Sequence, residues 1–134
     1  FNIHVLLTFL STVMSQTKIS QTGDFDFSCL LDNTDDYGHM LSLVLMESRK
    51  EIEELTTAIK TINRESIRKT IHRMMPVWEM LEKEQLLRDF QEKLHDMDIS
   101  DDVICENAIK IIEWIEKLIN ETENELKKYE NSDS

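Results

Sequence analysis

The peptide "SIRKTIHRMMPVW", residues 66–78, places one histidine, His72, among basic residues in a helix-like run that contains the only proline of the chain. The unperturbed pKa of imidazole is about 6.5, so an exposed neutral ring is a competent nucleophile near neutral pH. Arg68, Lys69 and Arg73 lie within four positions of it, although the formal net charge of the chain is -12. A local excess of cations attracts anions and offsets the charge of a phosphoryl group. We therefore interpret His72 as a candidate phosphoryl acceptor with these three side chains as supporting cations.

The rotation of His72 about its helix decides whether the ring is accessible. Successive helical residues advance by about 100°, so the apolar residues of this stretch fall on an arc opposite His72. They are Ile67, Ile71, Met74, Val77, Trp78 and Leu81. On the exposed side we expect Arg64, Met75 and Pro76 to form a docking surface, because nonpolar side chains on a solvated face are typical of docking sites. Glu79 is predicted to accept a hydrogen bond from the second ring nitrogen and so to orient the ring.

The composition predicts an all-α protein. Two glycines and one proline among 134 residues are few, whereas Glu, Leu, Ile, Lys and Met are abundant, which favours long helices over a sheet. Residues 1–14 are apolar at helical spacing but too short for a membrane span, which needs about 20 apolar residues. They predict an amphipathic helix cut from a larger protein, followed by a polar linker at residues 15–24. One domain is expected over residues 25–130, and residues 131–134 are expected to be a disordered tail.

Four amphipathic helices are predicted in that domain, after a short segment anchored by aromatic residues. The first is expected to follow a cap at Thr34 or Asp35 and to end at about Ile62, and the second to follow a cap at Asn63 and to run from about Arg64 to Leu81. The third is expected from about Glu84 to Met97, and the fourth from a cap at Ser100 to about Tyr129. Their expected core stripes are, in chain order, Leu41, Leu45, Ser48, Ile52, Leu55, Ile59 and Ile62; the arc opposite His72; Leu87, Phe90, Leu94 and Met97; and Ile104, Ala108, Ile111, Ile115, Leu118 and Thr122. Because the connections are short, these stripes predict an up-down-up-down antiparallel four-helix bundle with an extra N-terminal helix. The aromatic residues make an extended coiled coil the weaker alternative.

Other site chemistries find little support. Cys29 and Cys105 are expected to be buried thiols rather than a disulfide, and neither has a Cys or His partner at zinc-ligand spacing. The sequence Glu92-Lys93-Leu94-His95 lacks the second Glu-x-x-His that a di-iron bundle needs. The acidic net charge argues against general nucleic-acid binding, and the absence of a glycine-rich phosphate loop argues against autonomous kinase activity. We expect neither a metal nor a bound cofactor.

The residues around His72 resemble the motif of histidine phosphotransfer (HPt) domains, in which the phosphorylated histidine begins the pattern His-x-Leu-Lys-Gly. Here the pattern reads His72, Arg73, Met74, Met75 and Pro76, with methionine and proline in place of the usual lysine and glycine. The stretch "IHRMMPVWEML" is similar to HPt domains at the C-terminal end of bacterial hybrid sensor kinases, where "AHRMLP" is a common spelling. The opening "FNIHVLLTFL" resembles the last helix of a receiver domain.

The resemblance implies a phosphocarrier. The phospho-aspartate of a receiver domain would dock over His72 and transfer its phosphoryl group to the ring, and a receiver domain would take the group onward. Mg²⁺ would belong to the receiver. The resemblance further implies a cytoplasmic module, without membrane insertion of its own, in a parent kinase that can be anchored in the inner membrane.

Two other classes of function remain open. A secreted helical cytokine-like protein is suggested by the apolar N-terminus, the two cysteines and the sequon Asn120-Glu121-Thr122, but that class needs long crossover connections. A non-catalytic adaptor bundle is compatible with every feature except the cations around His72, because most exposed histidines have no dedicated role.

Overall fold

Helices make up the regular secondary structure of the residues that the computed structural model describes, residues 24–32 and 36–132. In this part of the chain the helices are α1 (Ser28–Asp32), α2 (Tyr37–Lys60), α3 (Arg64–Met80), α4 (Glu84–His95) and α5 (Asp101–Ser132). The all-α prediction is confirmed. The predicted N-terminal helix at residues 1–14, the linker up to residue 23 and the end of the tail, residues 133–134, lie outside the described residues.

The four long helices form a closed ring around one core. Each contacts the next along the chain, and α5 packs along α2 to complete the ring through the most extensive contact between described helices. The short α1 rests against α2. Their buried apolar side chains make a single cluster, as expected for a bundle in which every helix contributes one stripe. The alternating up-and-down direction of the helices stays a prediction.

Side-chain caps begin three of these helices. The Asn63 side chain accepts a hydrogen bond from the Ser66 amide at 3.1 Å, and the Ser100 hydroxyl accepts one from Val103 at 3.4 Å. Both caps confirm the prediction. Helix α2 is instead capped by Asp36, whose carboxylate accepts the His39 amide at 3.0 Å. The predicted caps Thr34 and Asp35 lie outside the described residues, and the helix starts later than we predicted.

The predicted stripes are correct within the helices; of the three predicted core residues that follow a helix end, Leu81 is buried, whereas Ile62 and Met97 are exposed. All six predicted core residues of α5 are buried. In contrast, Ile62 is 55% exposed and Met97 is 80% exposed. Ile62 follows the end of α2 in the left-handed region, at φ 50, where the Asn63 amide turns back to the Ala58 carbonyl at 2.8 Å. Met97 follows the end of α4, so helical spacing no longer determines which way either side chain points.

An aromatic cluster attaches the N-terminal segment to the bundle. Phe25 packs edge-on against Trp78 and Trp114, with ring centroids 5.2 and 6.0 Å away. The carboxylate of Glu121 accepts the amides of Asp24 and Phe25 at 2.8 and 3.0 Å. The expected aromatic anchor is therefore confirmed.

Cys29 and Cys105 are not joined in a disulfide, as expected; Cys105 is buried and Cys29 is partly buried.

Removal of the α3 cap tests the helix boundary next to the candidate site. We expect Asn63→Ala to lower the free energy of unfolding by about 1 kcal/mol, because the Ser66 amide loses its acceptor. Urea denaturation measures the change. Asn124→Ala, on the exposed part of α5, is the matched control and is expected to change stability by less than about 0.5 kcal/mol. Equal losses in the two variants would contradict the cap.

Candidate functional site

His72 lies near the middle of α3 and its side chain is exposed to solvent. The opposite side of the helix is buried in the core through Ile67, Ile71, Met74 and Trp78, each 0 to 1% exposed. Val77 on the same arc is partly buried and packs against the core. The packing of this stripe fixes the rotation of the helix, so the outward orientation of the imidazole follows directly. Within residues 24–32 and 36–132, His72 has no hydrogen-bond or ion-pair partner, and its ring nitrogens are available to an incoming group.

The nonpolar residues next to His72 form a mixed rim. Helix α3 continues across Pro76 as far as Met80, although proline has no amide hydrogen to donate to the His72 carbonyl. Pro76 is exposed, whereas Met75 is partly buried and packs against the core. The rim that a partner would meet therefore consists of an exposed proline ring and part of a methionine side chain.

Arg64 makes structural contacts that the sequence analysis missed. Its guanidinium donates to the carbonyls of Ile99, Asp96 and Leu94 at 2.8, 3.1 and 3.3 Å, and lies 3.4 Å from the Asp101 carboxylate. These contacts connect the start of α3 to the end of α4 and the start of α5. The sequence does not predict these hydrogen bonds, because the acceptors are main-chain oxygens 30 or more positions away. A docking role for Arg64 stays a prediction.

Two of the three predicted supporting cations are paired with carboxylates. Arg68 donates to Glu65 at 2.5 and 3.1 Å, and this hydrogen bond lowers the pKa of Glu65. Arg73 donates to Glu54 on α2, a contact that raises the pKa of Arg73. Lys69 is exposed and has no hydrogen bond or ion pair in the described part of the chain. The local positive charge that the sequence indicates is therefore largely balanced, except at Lys69.

Glu79 is exposed and interacts with Arg88 on α4 at 3.5 Å rather than with His72. Its role in orienting the ring stays a prediction.

A shallow groove between α2 and α3 runs beside this surface. It is lined by acidic, basic, hydroxyl and amide side chains together with one alanine: Glu53, Glu54, Thr57, Ala58, Thr61, Asn63, Ser66, Lys69, Thr70 and Arg73. One wall therefore carries carboxylates from α2 and the other carries cations from α3.

A buried carboxylate on α2 is the second feature that the sequence analysis missed. Glu51 is only 6% exposed and makes no hydrogen bond among the described residues. Burial, followed by repulsion from Glu47, raises its pKa to about 7, while Arg73 acts in the opposite direction. Its position was available from the sequence, because Glu51 lies four residues before Leu55 on the buried stripe of α2.

Metal binding and membrane insertion find no support among the described residues. Among the described residues, no group of three or more His, Cys, Asp or Glu side chains is arranged to hold a metal ion. None of the described helices combines the length and apolar character that crossing a membrane requires. Comparisons with protein-family models, with curated proteins and with solved structures found no match for this chain.

Replacement of Arg64 tests its structural contacts. We expect Arg64→Met to lower the free energy of unfolding by about 2 to 3 kcal/mol, because three main-chain carbonyls lose a charged donor. The control is Arg49→Met, which removes an exposed ion pair with Glu123 at 3.6 Å and is expected to cost less than about 1 kcal/mol. Chemical denaturation of both variants gives the comparison, and a loss at position 64 no larger than at position 49 would contradict it.

Glu51 predicts an unusual dependence of stability on pH. Between pH 4.5 and about 7 the folded chain holds a proton that the unfolded chain has released, so this group makes stability fall as pH rises through that window. We expect Glu51→Gln to match the parent near pH 4.5 and to exceed it above pH 7, by up to about 3 kcal/mol.

Thermal unfolding at several pH values measures this difference. Glu53→Gln, an exposed position two residues along the same helix, is the control. A constant gap between the Glu51→Gln variant and the parent across this pH range would contradict a buried titrating carboxyl.

Proposed function

We propose that this chain is a phosphocarrier of a phosphorelay, accepting a phosphoryl group on His72 from the phospho-aspartate of a receiver domain and passing it to a receiver domain. The observation that carries the proposal is the exposed imidazole of His72 in mid-helix, opposite the buried stripe of α3 and without a hydrogen bond in the described part of the chain. A ring held in this way is accessible to a second protein and is not occupied by structural contacts.

The transfer step follows from the acceptor. One ring nitrogen of His72 attacks phosphorus, the bond between phosphorus and the aspartate oxygen breaks, and the carboxylate leaves. The ring loses its N–H proton to solvent. Mg²⁺ would be held by the receiver domain, where it would offset the phosphoryl charge.

The similarity of residues 72–76 to the HPt motif supports this proposal, as does the helical bundle. The two departures from the motif fall on the rim: Met75 is partly buried and Pro76 is exposed. Since position 75 carries no charge, a cation that assists transfer has to come from another position. We assign the chain to the C-terminal part of a bacterial hybrid sensor kinase, as a cytoplasmic module without kinase activity of its own.

A non-catalytic adaptor bundle is the second candidate. It is favoured by the pairing of Arg68 with Glu65 and of Arg73 with Glu54, which reduces the positive charge around His72. The cytokine-like alternative is weakened by the connections between the long helices, which are only three to five residues long, whereas that class of bundle needs long crossover connections.

Label transfer decides between phosphocarrier and adaptor. Receiver domains from the genome that encodes this chain are charged with acetyl [³²P]phosphate and mixed with the protein. We expect acid-labile, alkali-stable label on the parent and on His39→Gln, and no label on His72→Gln. His39 is the matched control because it is another exposed histidine, on α2. Label that persists in His72→Gln, or that survives acid, would overturn the proposal.

A further inference from the structure

The cations near His72 differ in what they already bind. Arg64 is engaged with main-chain carbonyls, Arg68 with Glu65, and Arg73 with Glu54. Lys69 alone among these four has neither a hydrogen bond nor an ion pair within the described residues, and it is exposed. Lys69 is attracted to the Glu65 carboxylate, whose pKa it helps to lower, but it makes no direct ion pair with it. Lys69 can therefore turn toward an anion at His72 without breaking an ion pair.

We propose that Lys69 is the side chain that binds the phosphoryl group on His72 and accelerates its arrival. The inference rests on the proposed function. It assigns to Lys69 alone the cationic support of the phosphoryl group that the sequence analysis assigned to Arg68, Lys69 and Arg73 together. Lys69 takes the place of the cation that the uncharged Met75 does not provide.

The helix geometry permits this contact. Lys69 precedes His72 by three residues on α3, and side chains at this spacing are neighbours on one helix face, with Cβ atoms about 5 to 6 Å apart. A lysine has a flexible four-carbon stem and three donor hydrogens, which can follow a phosphoryl group as it forms. The guanidinium of Arg68 is also close to His72 in sequence, but it is fixed to Glu65 by two hydrogen bonds.

The ion pair with Glu65 does not remove the electrostatic effect of Arg68 on His72. The control variants therefore have to keep the net charge near His72 unchanged. Replacing only Arg68 would expose the charge of Glu65, so it would change the local net charge as much as replacing Lys69 does. The matched control is therefore the double variant Glu65→Gln/Arg68→Gln, which removes one charge of each sign and leaves the net charge unchanged.

A small phosphoryl donor tests Lys69 without a partner protein. With phosphoramidate, a ring nitrogen of His72 attacks phosphorus, the P–N bond of the donor breaks, ammonia leaves and the ring N–H proton goes to solvent. Peptide mass spectrometry at alkaline pH follows the second-order rate constant at His72. His39 serves as the reference in each sample, because it is far from Lys69. Glu53, which lines the same groove as Lys69, is 14 residues from His39 along α2, a distance of about 21 Å.

We expect Lys69→Gln to lower the rate constant at His72 by about threefold to tenfold, the effect of one solvent-exposed charge at about 4 Å from an anionic group. Lys69→Arg is expected to restore most of the rate, and Glu65→Gln/Arg68→Gln to change it less than twofold. The effect of Lys69→Gln is expected to shrink between 0.01 M and 1 M salt as screening increases. The rate constant at His39 is expected to stay the same in every variant.

Two results would overturn the assignment. One is an unchanged rate constant at His72 in Lys69→Gln, and the other is a decrease in the charge-neutral double variant that equals the decrease in Lys69→Gln. Failure of the proposed function has a different signature: receiver domains deliver no label to the parent, whatever phosphoramidate does. The two ideas are therefore separately refutable.

Discussion

The fold depends on the burial of one apolar stripe from each of four helices in a common core. A stripe left in water would cost the free energy that drives folding, about 25 cal/mol for each Å² of apolar surface. For α3 this constraint fixes rotation about the helix axis, because Ile67, Ile71, Met74 and Trp78 have to face inward. His72 then has to face outward. The accessibility of the imidazole is thus a consequence of core packing and needs no contact of its own.

The ends of the helices are fixed by a different interaction. Arg64 joins α3 to the α4–α5 connection through main-chain carbonyls, and Asn63 caps the same helix end. His72 therefore lies on a helix whose first turn is hydrogen-bonded to the neighbouring elements. A rigid helix is a suitable platform for a residue that has to meet a partner in one orientation.

Charge around His72 is distributed across two helices. Helix α3 carries the cations, but Glu65 on the same helix pairs with Arg68 and Glu54 on α2 pairs with Arg73 across the groove, so that little net positive charge remains. This arrangement explains why a cluster of basic residues in the sequence overstates the field at the site. It also separates Lys69, which keeps its charge unpaired in the described part of the chain, from Arg68 and Arg73.

The sequence by itself determined the helical class, the core stripe of α5, the caps at Asn63 and Ser100, and the outward direction of His72, because each depends on spacing within one helix. It failed at Ile62 and Met97, where the helices had already ended and spacing no longer specifies direction. Only the tertiary structure decided which charges pair, since the partner of Arg73 is on another helix and those of Arg64 are distant carbonyls. Burial of Glu51 has the same origin, because a carboxylate on an apolar stripe becomes desolvated only when the neighbouring helices close over it.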